Sequence, residues 1–296
     1  MQHAILGAGG VGLLVGGGLA HAGHPVLLIL RPQALDTYPG GIHVQSGLLG
    51  EFDVDVPASP RLDREVDVLW VTVKATQLGD ALRVASPAVA PRAVVVPLLN
   101  GLDHLSTLRE VYGDQVIPGA IRVESERVGP GHVVHVTPFV STELAPPAPL
   151  RDRAEAIAAE MNGAGLPCAV RDDEGQVMWG KLALLAPFAL GTSSVGQPIG
   201  AARQDPDVRD LMLRMIQEVC AVAASEGVQL DPDRMARSLL DVPEGMRTSM
   251  QKDLAAGRPL ELDAIAGTVV RRGRARGIPT PATEELVRRV GQAASL

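Results

Sequence analysis

Short apolar runs alternate with helical stretches over the first half of the chain. Four runs are rich in valine, leucine and isoleucine, at residues 3–6, 26–30, 66–73 and 94–99. Predominantly apolar runs of this kind are typical of strands buried on both faces. Because helical stretches separate them, the pattern predicts a parallel sheet in an α/β fold.

Weaker patterns predict further strands. Residues 42–45 and 52–56 are strand-like and flank the glycine-containing segment 46–50, which predicts a hairpin. Residues 133–136 and 168–171 are candidates for later strands.

The strand signal ends at about residue 173, and the rest of the chain has the pattern of helices. The predicted helices cover residues 207–226, 231–240, 259–276 and 281–293. Asp231 before Pro232 and Thr280 before Pro281 are typical helix starts. The pattern therefore predicts an α/β domain over residues 1–170, followed by an all-helical domain over residues 171–296.

Composition and charge exclude several classes of protein. Apolar residues make up 46% of the 296 residues and aromatic residues only 2%, so aliphatic side chains must fill the core. The formal net charge of −7 argues against a general nucleic-acid-binding protein. The basic run at residues 271–276 is interpreted as the solvated end of a helix. Two distant cysteines and the lack of an apolar run of about 20 residues predict a cytoplasmic protein without disulfides or membrane spans.

A glycine motif follows the first predicted strand directly. Gly7, Gly9 and Gly12 form G-x-G-x-x-G before a helix of small residues. In a dinucleotide site the first glycine permits a tight turn, the second admits a pyrophosphate and the third lets helix and strand pack closely. The alternative is a glycine-rich turn without a ligand. The context favours dinucleotide binding by the whole loop, which consists of Gly7, Ala8, Gly9, Gly10, Val11 and Gly12.

The residue after the second predicted strand bears on the choice of cofactor. An NAD site usually has an acidic residue here that binds the ribose 2′-hydroxyl. Arg31 follows this strand instead, and a cation suits the 2′-phosphate of NADP. The alternative is an exposed arginine that opens a loop. After the glycine motif, we favour NADP(H).

Polar side chains follow the next two predicted strands. Lys74 and Gln77 come after the third strand, and Asn100 comes after the fourth. Because the carboxyl ends of parallel strands form the ligand side of such a sheet, these residues are candidates for a polar cleft. The alternatives are a surface lysine and an Asn-Gly turn.

One lysine stands alone in an apolar segment of the second half. In residues 179–194, WGKLALLAPFALGTSS, Lys181 is the only charged residue. If the segment is a helix, Leu184, Leu185 and Phe188 lie on the same face as Lys181. An ammonium on an apolar face marks Lys181 as a candidate functional residue.

Taken together, the motifs resemble those of the ketopantoate reductase (2-dehydropantoate 2-reductase) family. The glycine loop, Arg31, VTVKATQ at 71–77 and LLNG at 98–101 are similar to its N-terminal half. WGKLALL is similar to the helix that carries the catalytic lysine of the family, and residues 248–286 resemble its S-M-x-x-D…E-x-D…G…G-I-x-x-P signature. The resemblance extends over nearly the whole chain. It implies a Rossmann dinucleotide-binding domain, an all-helical C-terminal domain and a substrate cleft between them.

The resemblance also implies roles in catalysis and substrate binding. Lys181 corresponds to the general acid that protonates the carbonyl oxygen of a 2-keto acid, and Glu261 to a catalytic carboxylate that binds the substrate beside it. Ser249 corresponds to a residue that holds the polar end of the substrate. Asn100 and Lys74 correspond to residues that contact substrate and cofactor.

For the cofactor, the resemblance implies that NADP(H) binds the glycine loop, Lys74 and Asn100, with Gln77 and Arg31 at its 2′-phosphate end. The implied partner is a small 2-keto acid, the implied pathway is pantothenate biosynthesis, and a homodimer is compatible with the family. The implied function includes neither nucleic acid nor membrane binding.

Periodicity alone supports less than the resemblance does. An apolar stripe at helical spacing runs through residues 262–270, and Glu261 lies at its edge. Ser249 and Asp253 share a helix face because they are four positions apart. Without the resemblance, Glu261 is an ordinary exposed acid, Ser249 a surface hydroxyl and Asp253 a salt-bridge partner; we assign Asp253 to structure.

Some positions depart from the family pattern. Asparagines usually occupy the positions four and eight residues after the catalytic lysine, where this chain has Leu185 and Ala189, with Pro187 between them. Another asparagine of the family aligns with Ile199. The resemblance as a whole still implies reduction of ketopantoate to pantoate as the leading function. The alternatives are reduction of a more apolar 2-keto acid or ketone, and an NADP(H)-binding regulatory protein without turnover.

The histidine spacings do not predict a metal site. His132 and His135 are three apart in a predicted strand and so face opposite sides. His21 and His24 have no acidic or cysteine partner at ligand spacing.

Overall fold

The computed structural model describes residues 1–135, 137 and 139–295, and the chain divides into two compact units. The sheet unit comprises Met1–Leu99 and His104–Val177, and the helical unit comprises Asn100–Asp103 and Met178–Leu296. The short segment 100–103 thus belongs with the second half of the chain, although it follows a strand of the first.

All described strands lie in the sheet unit. In chain order they are β1 (His3–Leu6), β2 (Val26–Ile29), β3 (Gly41–Ser46), β4 (Gly50–Asp55), β5 (Ala58–Ser59), β6 (Val68–Val71), β7 (Val94–Pro97), β8 (Gly119–Val123), β9 (Glu126–Gly129), β10 (His132–His135), β11 (Val140–Leu144) and β12 (Cys168–Val170).

The largest sheet has five parallel strands in the order β5-β2-β1-β6-β7. Every residue of β1, β2, β6 and β7 is buried, as expected for apolar strands that pack on both faces. The four strongest strand predictions and the parallel arrangement are thus confirmed. Strand β1 lies between β2 and β6, so the later strands of the sheet are added on opposite sides of β1. The carboxyl end of β1 is therefore the switch point, where such sheets bind ligands.

Two smaller sheets complete the unit, in the orders β4-β3-β10-β9 and β12-β11-β8. The predicted hairpin is confirmed, because β3 and β4 pair in antiparallel register. The predicted strand at 133–136 corresponds to β10, and its last residue, Val136, lies outside the described residues. Strand β9 was not predicted because three of its four residues are exposed and its sequence, ERVG, lacks an apolar pattern.

Among the described residues, five α-helices belong wholly to the sheet unit: α1 (Gly10–His21), α2 (Pro32–Leu35), α3 (Leu78–Leu82), α4 (His104–Tyr112) and α5 (Arg151–Gly163). Helix α1 packs very closely on the strands, since a Cβ on Gly17 would lie 2.7 Å from Val44 Cγ2. Its run of glycines therefore allows a contact that larger residues would prevent, at a cost in helix propensity.

The helical unit contains the rest of the helices. They are α6 (Glu174–Val195, whose first turn lies in the sheet unit), α7 (Ile199–Gln204), α8 (Pro206–Ser225), α9 (Pro232–Leu240), α10 (Ser249–Ala255), a π-helical segment (Asp263–Gly267), α11 (Thr268–Ala275) and α12 (Pro281–Ala293). The predicted fold class, a parallel α/β domain followed by helices, is confirmed. None of the described helices combines the length and apolar character needed to cross a bilayer.

Local sequence explains where these helices begin. The Asp231 side chain accepts hydrogen bonds from the backbone N–H groups of Asp233 and Arg234, and Pro232 occupies the first turn. Helix α12 begins at Pro281, directly after Thr280. Both predicted helix starts are confirmed.

The predicted helix at 259–276 is wrong in its first part. Regular helical structure starts only at Leu262, and residues 263–267 form a π-helix. Pro259 cannot donate a backbone hydrogen bond, and Glu261 precedes the helix. Single π-helical turns are frequent at functional sites.

Candidate active site

The glycine loop follows β1 at the switch point of the large sheet. Gly7 has a φ of +111°, and a Cβ there would lie 2.9 Å from the backbone nitrogen of Val73. A Cβ on Gly12 would lie 2.0 Å from the carbonyl oxygen of Gly7. A Cβ on Gly9, in contrast, would meet no described atom within 4 Å. The loop is therefore closely packed at its first and third glycines, Gly7 and Gly12, and open at its middle glycine, as a pyrophosphate site requires.

The first turn of α1 starts from this loop. Gly9 is the N-cap residue and has no side chain that could accept the first N–H groups of the helix. Those N–H groups and the helix dipole favour an anion at this end. Ala8, Gly10 and Val11 are half-buried around the exposed Gly9, so the loop can hold a dinucleotide phosphate.

Three more predicted cofactor residues lie at the carboxyl ends of neighbouring strands. Arg31 is exposed just beyond β2, where it precedes α2, and it forms no ion pair with any described residue. Lys74 is half-buried beyond β6 and caps a 3₁₀ turn that ends at the exposed Gln77. Because β2, β1 and β6 are adjacent and parallel, these residues share one edge of the sheet with the glycine loop.

Lys181 lies in the helical unit, on α6. It is only 8% exposed, and its neighbours Leu182 and Ala183 are fully buried. Leu185 and Phe188, which follow on the same face, are half-buried. Pro187 lies inside the helix and removes the hydrogen bond to the carbonyl of Ala183.

Asn100 and Glu261 meet in the same unit, although they are 161 positions apart. Asn100 Nδ2 donates a hydrogen bond to Glu261 Oε2 at 3.1 Å, and Glu261 is 7% exposed. The next residue, Gly101, has a φ of +84°, and a Cβ there would lie 2.2 Å from the carbonyl oxygen of Ala264. The loop after β7 is thus pressed onto the π-helical segment, which brings the two side chains together.

Ser249 lies at the surface, although the residues on either side of it in the chain are buried. It is exposed at the first turn of α10, whereas the preceding Thr248 is buried and caps the helix by accepting from Gln251 N at 3.2 Å. The Thr248 hydroxyl also contacts the Thr192 hydroxyl of α6 at 3.2 Å. Asp253 is buried and accepts from Arg258 Nε at 2.8 Å. The Thr248–Thr192 contact could not be predicted, because the two residues are 56 positions apart in the chain.

The basic run at 271–276 is exposed at each arginine except Arg272, so its interpretation as a solvated helix end is corrected for that half-buried residue. Arg271 pairs with Asp103 and Asp263, and Arg272 pairs with Asp103 and Glu226. Burial acts to raise the pKa of Asp103, but hydrogen bonds from Arg271 and Arg272 outweigh it and hold the pKa below its ordinary value. Asp103 and Glu226 come from distant parts of the chain, so their pairing could not be predicted.

A cluster of possible metal ligands lies at the amino end of β1. His3 Nε2 is 2.8 Å and His24 Nδ1 is 3.6 Å from Glu160 Oε2. Trp70 Nε1 lies 3.2 Å from His3 Nδ1, and an indole N–H can only donate. The neutral ring of His3 therefore carries its proton on Nε2, toward Glu160. A metal on Nε2 would need a proton on Nδ1, opposite the indole N–H, so the cluster is a hydrogen-bond chain.

Trp70→Phe is expected to raise the pKa of His3 and to weaken the pH dependence of stability. Burial lowers the pKa of His3 below 6.5, although the hydrogen bond to Glu160 acts to raise it. Below about pH 6.5 the unfolded chain takes up a proton that the folded protein does not, so the free energy of unfolding falls with falling pH. Removing the indole N–H takes away one interaction that favours the neutral ring, so the folded protein takes up that proton at a higher pH than the wild type, although burial still lowers the pKa. NMR titration of the histidine rings and urea unfolding between about pH 5 and 7 measure both effects.

His135 provides an internal control. Burial also lowers its pKa, and its contacts are with Ser46 and Phe139 rather than Trp70. Its titration should therefore stay the same in Trp70→Phe. An unchanged His3 titration would contradict the proton assignment.

Comparison with known proteins agrees with the fold and the motifs. The family model Ketopantoate reductase PanE/ApbA matches residues 3–148, and its C-terminal counterpart matches residues 175–294. A 2-dehydropantoate 2-reductase of Mycobacterium tuberculosis is 33% identical over 292 residues, covering 96% of this chain and 95% of the relative.

Two solved structures are similar over the full length. A PanE/ApbA family ketopantoate reductase from Ralstonia eutropha JMP134 is 32% identical with a TM-score of 0.89, covering 100% of this chain and 99% of the other. A 2-dehydropantoate 2-reductase from Geobacter metallireducens GS-15 is 27% identical with a TM-score of 0.90, covering 99% and 100%. The resemblance inferred from the motifs is confirmed: the chain belongs to the ketopantoate reductase (PanE/ApbA) family.

Proposed function

We propose that this protein reduces 2-dehydropantoate (ketopantoate) to pantoate with NADPH, as a step of pantothenate biosynthesis. Membership of the family and relatives named 2-dehydropantoate 2-reductase support an NADP-dependent oxidoreductase that acts on a CH–OH group. The observation that carries the proposal is a buried ammonium, Lys181, in the same unit as a buried carboxylate, Glu261, to which Asn100 donates.

Lys181 is proposed as the general acid. Reduction of a keto group places negative charge on its oxygen, which must then take up a proton. A buried ammonium suits this step because it interacts strongly with developing charge at low dielectric and carries a transferable proton. NADPH, when bound, supplies the hydride, and α6 supplies the positive charge and the proton.

Glu261, Asn100 and Ser249 are proposed to orient the substrate. The hydrogen bond between Asn100 and Glu261 fixes both side chains in advance, so little order has to be gained when substrate binds. A buried carboxylate can accept a hydrogen bond from a substrate hydroxyl. The exposed hydroxyl of Ser249 can donate to the carboxylate of a 2-keto acid.

The glycine loop is proposed to hold the pyrophosphate of NADP(H). The open Gly9 and the uncapped first turn of α1 fit this group. Arg31 and Gln77 are proposed to contact the 2′-phosphate, and Lys74 and Asn100 to contact the cofactor nearer its reactive end. The exposed Arg31, where an NAD site has an acid, fits NADP(H) in particular.

Arg31→Ala is expected to raise the Kd for NADPH by roughly tenfold to a hundredfold, the effect of losing charge-assisted hydrogen bonds to a phosphate. The Kd for NADH should stay nearly unchanged, because NADH has no 2′-phosphate. Fluorescence titration of both cofactors measures the difference. The matched control is Arg92→Ala, which removes an arginine of the same unit that is 88% exposed. Equal losses for NADPH and NADH would contradict the assignment.

A more apolar 2-keto acid is the second candidate substrate. The half-buried Leu185 and Phe188 lie on the face of α6 that carries Lys181, where a polar substrate would need partners. An apolar side chain gains about 0.8 kcal/mol for each buried methylene, whereas an unpaired polar group costs about 1–3 kcal/mol. These residues would therefore favour a branched alkyl or aryl substrate over one with a hydroxymethyl group.

NADPH consumption measured with ketopantoate and with branched alkyl and aryl 2-keto acids separates the candidates. The highest kcat/KM on ketopantoate supports the main proposal, and the highest value on an apolar acid supports the second. Binding of NADPH without turnover on any of these acids would instead indicate a regulatory protein and exclude both.

A further inference from the structure

Three donors converge on one carboxylate in the loop that carries Asn100. Asp103 accepts hydrogen bonds from Thr268 Oγ1 at 3.0 Å, Arg271 Nη2 at 2.8 Å and Arg272 Nη2 at 3.1 Å. All three donors belong to α11, which continues the π-helical segment after Glu261. The loop is thus tied to the helix that follows Glu261.

Arg272 has the largest set of contacts in this group. Its Nη1 donates to both carboxylate oxygens of Glu226, at 3.0 and 2.9 Å, and its Nε donates to Thr268 Oγ1 at 3.3 Å. Its guanidinium carbon also lies 5.9 Å from the centre of the Trp179 ring, within the range of a cation–π contact. Every nitrogen of the guanidinium therefore has a partner.

Trp179 connects this arginine with the helix of the proposed general acid. It is 3% exposed and lies two residues before Lys181 on α6. Asp103 lies three residues after Asn100 in the loop that Gly101 presses onto the π-helical segment. The guanidinium of Arg272 thus contacts both the helix that carries Lys181 and the loop that carries Asn100. Arg272 itself lies on α11, which follows Glu261 in the chain.

We propose that Arg272 is a positioning residue that fixes Asn100 and Lys181 relative to Glu261, through Asp103 and Trp179. The proposal rests on the proposed function for the role of those three groups. The planar fork of arginine can satisfy two carboxylates and a ring face at once, which the single ammonium of lysine cannot. Arg272→Lys keeps the charge and should lose the positioning.

The positioning can be observed without substrate. The chain has only two asparagines, Asn100 and Asn162, so selective ¹⁵N labelling of asparagine side chains gives two pairs of side-chain amide signals. Asn162 donates to the carbonyl of Cys168 within the sheet unit and serves as the internal reference. In Arg272→Lys the Asn100 signals should shift or broaden, while those of Asn162 stay in place. Arg274→Lys, the same change at an 81% exposed side chain of the same helix, should move neither.

Kinetics tests whether the displacement matters for the reaction. Arg272→Lys should lower kcat on the order of 10²-fold, as small misplacements of reacting groups do. The Kd for NADPH should change far less than kcat, because the glycine loop and Arg31, which are proposed to hold the phosphates, lie in the other unit. In an Asn100→Ala background the same change should have a smaller effect on kcat, because part of its effect passes through Asn100.

Unmoved Asn100 signals, or an equal loss of kcat with and without Asn100, would overturn the proposal. If Arg272→Lys does not fold, Asp103→Ala is the second variant, because it removes the carboxylate of the loop, keeps the Arg272–Glu226 pair and adds no asparagine. The same NMR and kinetic outcomes then apply. Absence of turnover by the wild-type enzyme would reject the proposed function, whereas the NMR result still decides whether Arg272 positions Asn100.

Discussion

Lys181→Ala is expected to lower kcat for ketopantoate by roughly 10³-fold, the combined effect of losing a general acid and a charge that stabilises the developing alkoxide. The Kd for NADPH should stay within about twofold, because the glycine loop and Arg31 belong to the other unit. Single-turnover NADPH oxidation and fluorescence titration of NADPH measure the two quantities separately.

Two controls separate the charge of Lys181 from its volume. Lys181→Met keeps most of the side-chain volume and should lose as much activity as the alanine variant. The chain has only three lysines, Lys74, Lys181 and Lys252, and Lys252→Ala removes one from the same unit. That variant should keep its kcat. A kcat of Lys181→Met within about tenfold of the wild type would contradict the role of Lys181 as general acid.

Gly101→Ala is expected to have the second largest effect. The φ of +84° is unfavourable for alanine, and the new Cβ would lie 2.2 Å from the carbonyl oxygen of Ala264, so the loop must move. That movement separates Asn100 from Glu261 and should lower kcat on the order of 10²-fold. The free energy of unfolding should fall by at least about 1 kcal/mol. Steady-state kinetics and urea unfolding measure the two effects.

Gly257→Ala is the matched control for this substitution. Gly257 also has a positive φ, +62°, and belongs to the same unit, but a Cβ there would meet no described atom within 4 Å. It should show the backbone strain without the clash, with little change in kcat. Equal kcat values for the two variants would contradict the account of the Asn100 loop.

The large sheet could be predicted from the sequence because its strands are buried on both faces. Strands β1, β2, β6 and β7 consist almost wholly of aliphatic residues, and such runs are recognisable without any partner. The glycine loop could be predicted for a related reason. A close approach of backbone leaves glycine as the only residue that fits, as at Gly12.

The organisation of the helical unit was less accessible to sequence analysis. The segment 100–103 belongs to this unit because of Gly101, Asp103 and their contacts with residues more than 150 positions away. The π-helical turn after Glu261 has no pattern that distinguishes it from an α-helix in the sequence. Contacts over such separations depend on how helices pack, which local patterns do not encode.

The sequence alone predicts the apolar face that follows Lys181. How far the side chains of that face are exposed could be learned only from the structure. Leu185 and Phe188 could have been ordinary core residues, as Leu182 and Leu190 are. They are half-buried instead, but Phe188 also packs against the apolar core of the helical unit, so Leu185 is the better candidate for contact with the substrate. Under the proposed function, Leu185, at a position where the family usually has an asparagine, is the residue of this face expected to influence substrate preference.

The most direct test of the proposed reaction is the transfer of deuterium from labelled NADPH to the product. Wild-type enzyme is incubated with ketopantoate and NADPH that carries deuterium at both positions of C4, and the pantoate formed is analysed by mass spectrometry. The proposal predicts pantoate with a single deuterium, at C2, in amounts equal to the NADPH consumed. Unlabelled pantoate, or NADPH that is bound but not consumed when ketopantoate is added, would contradict it.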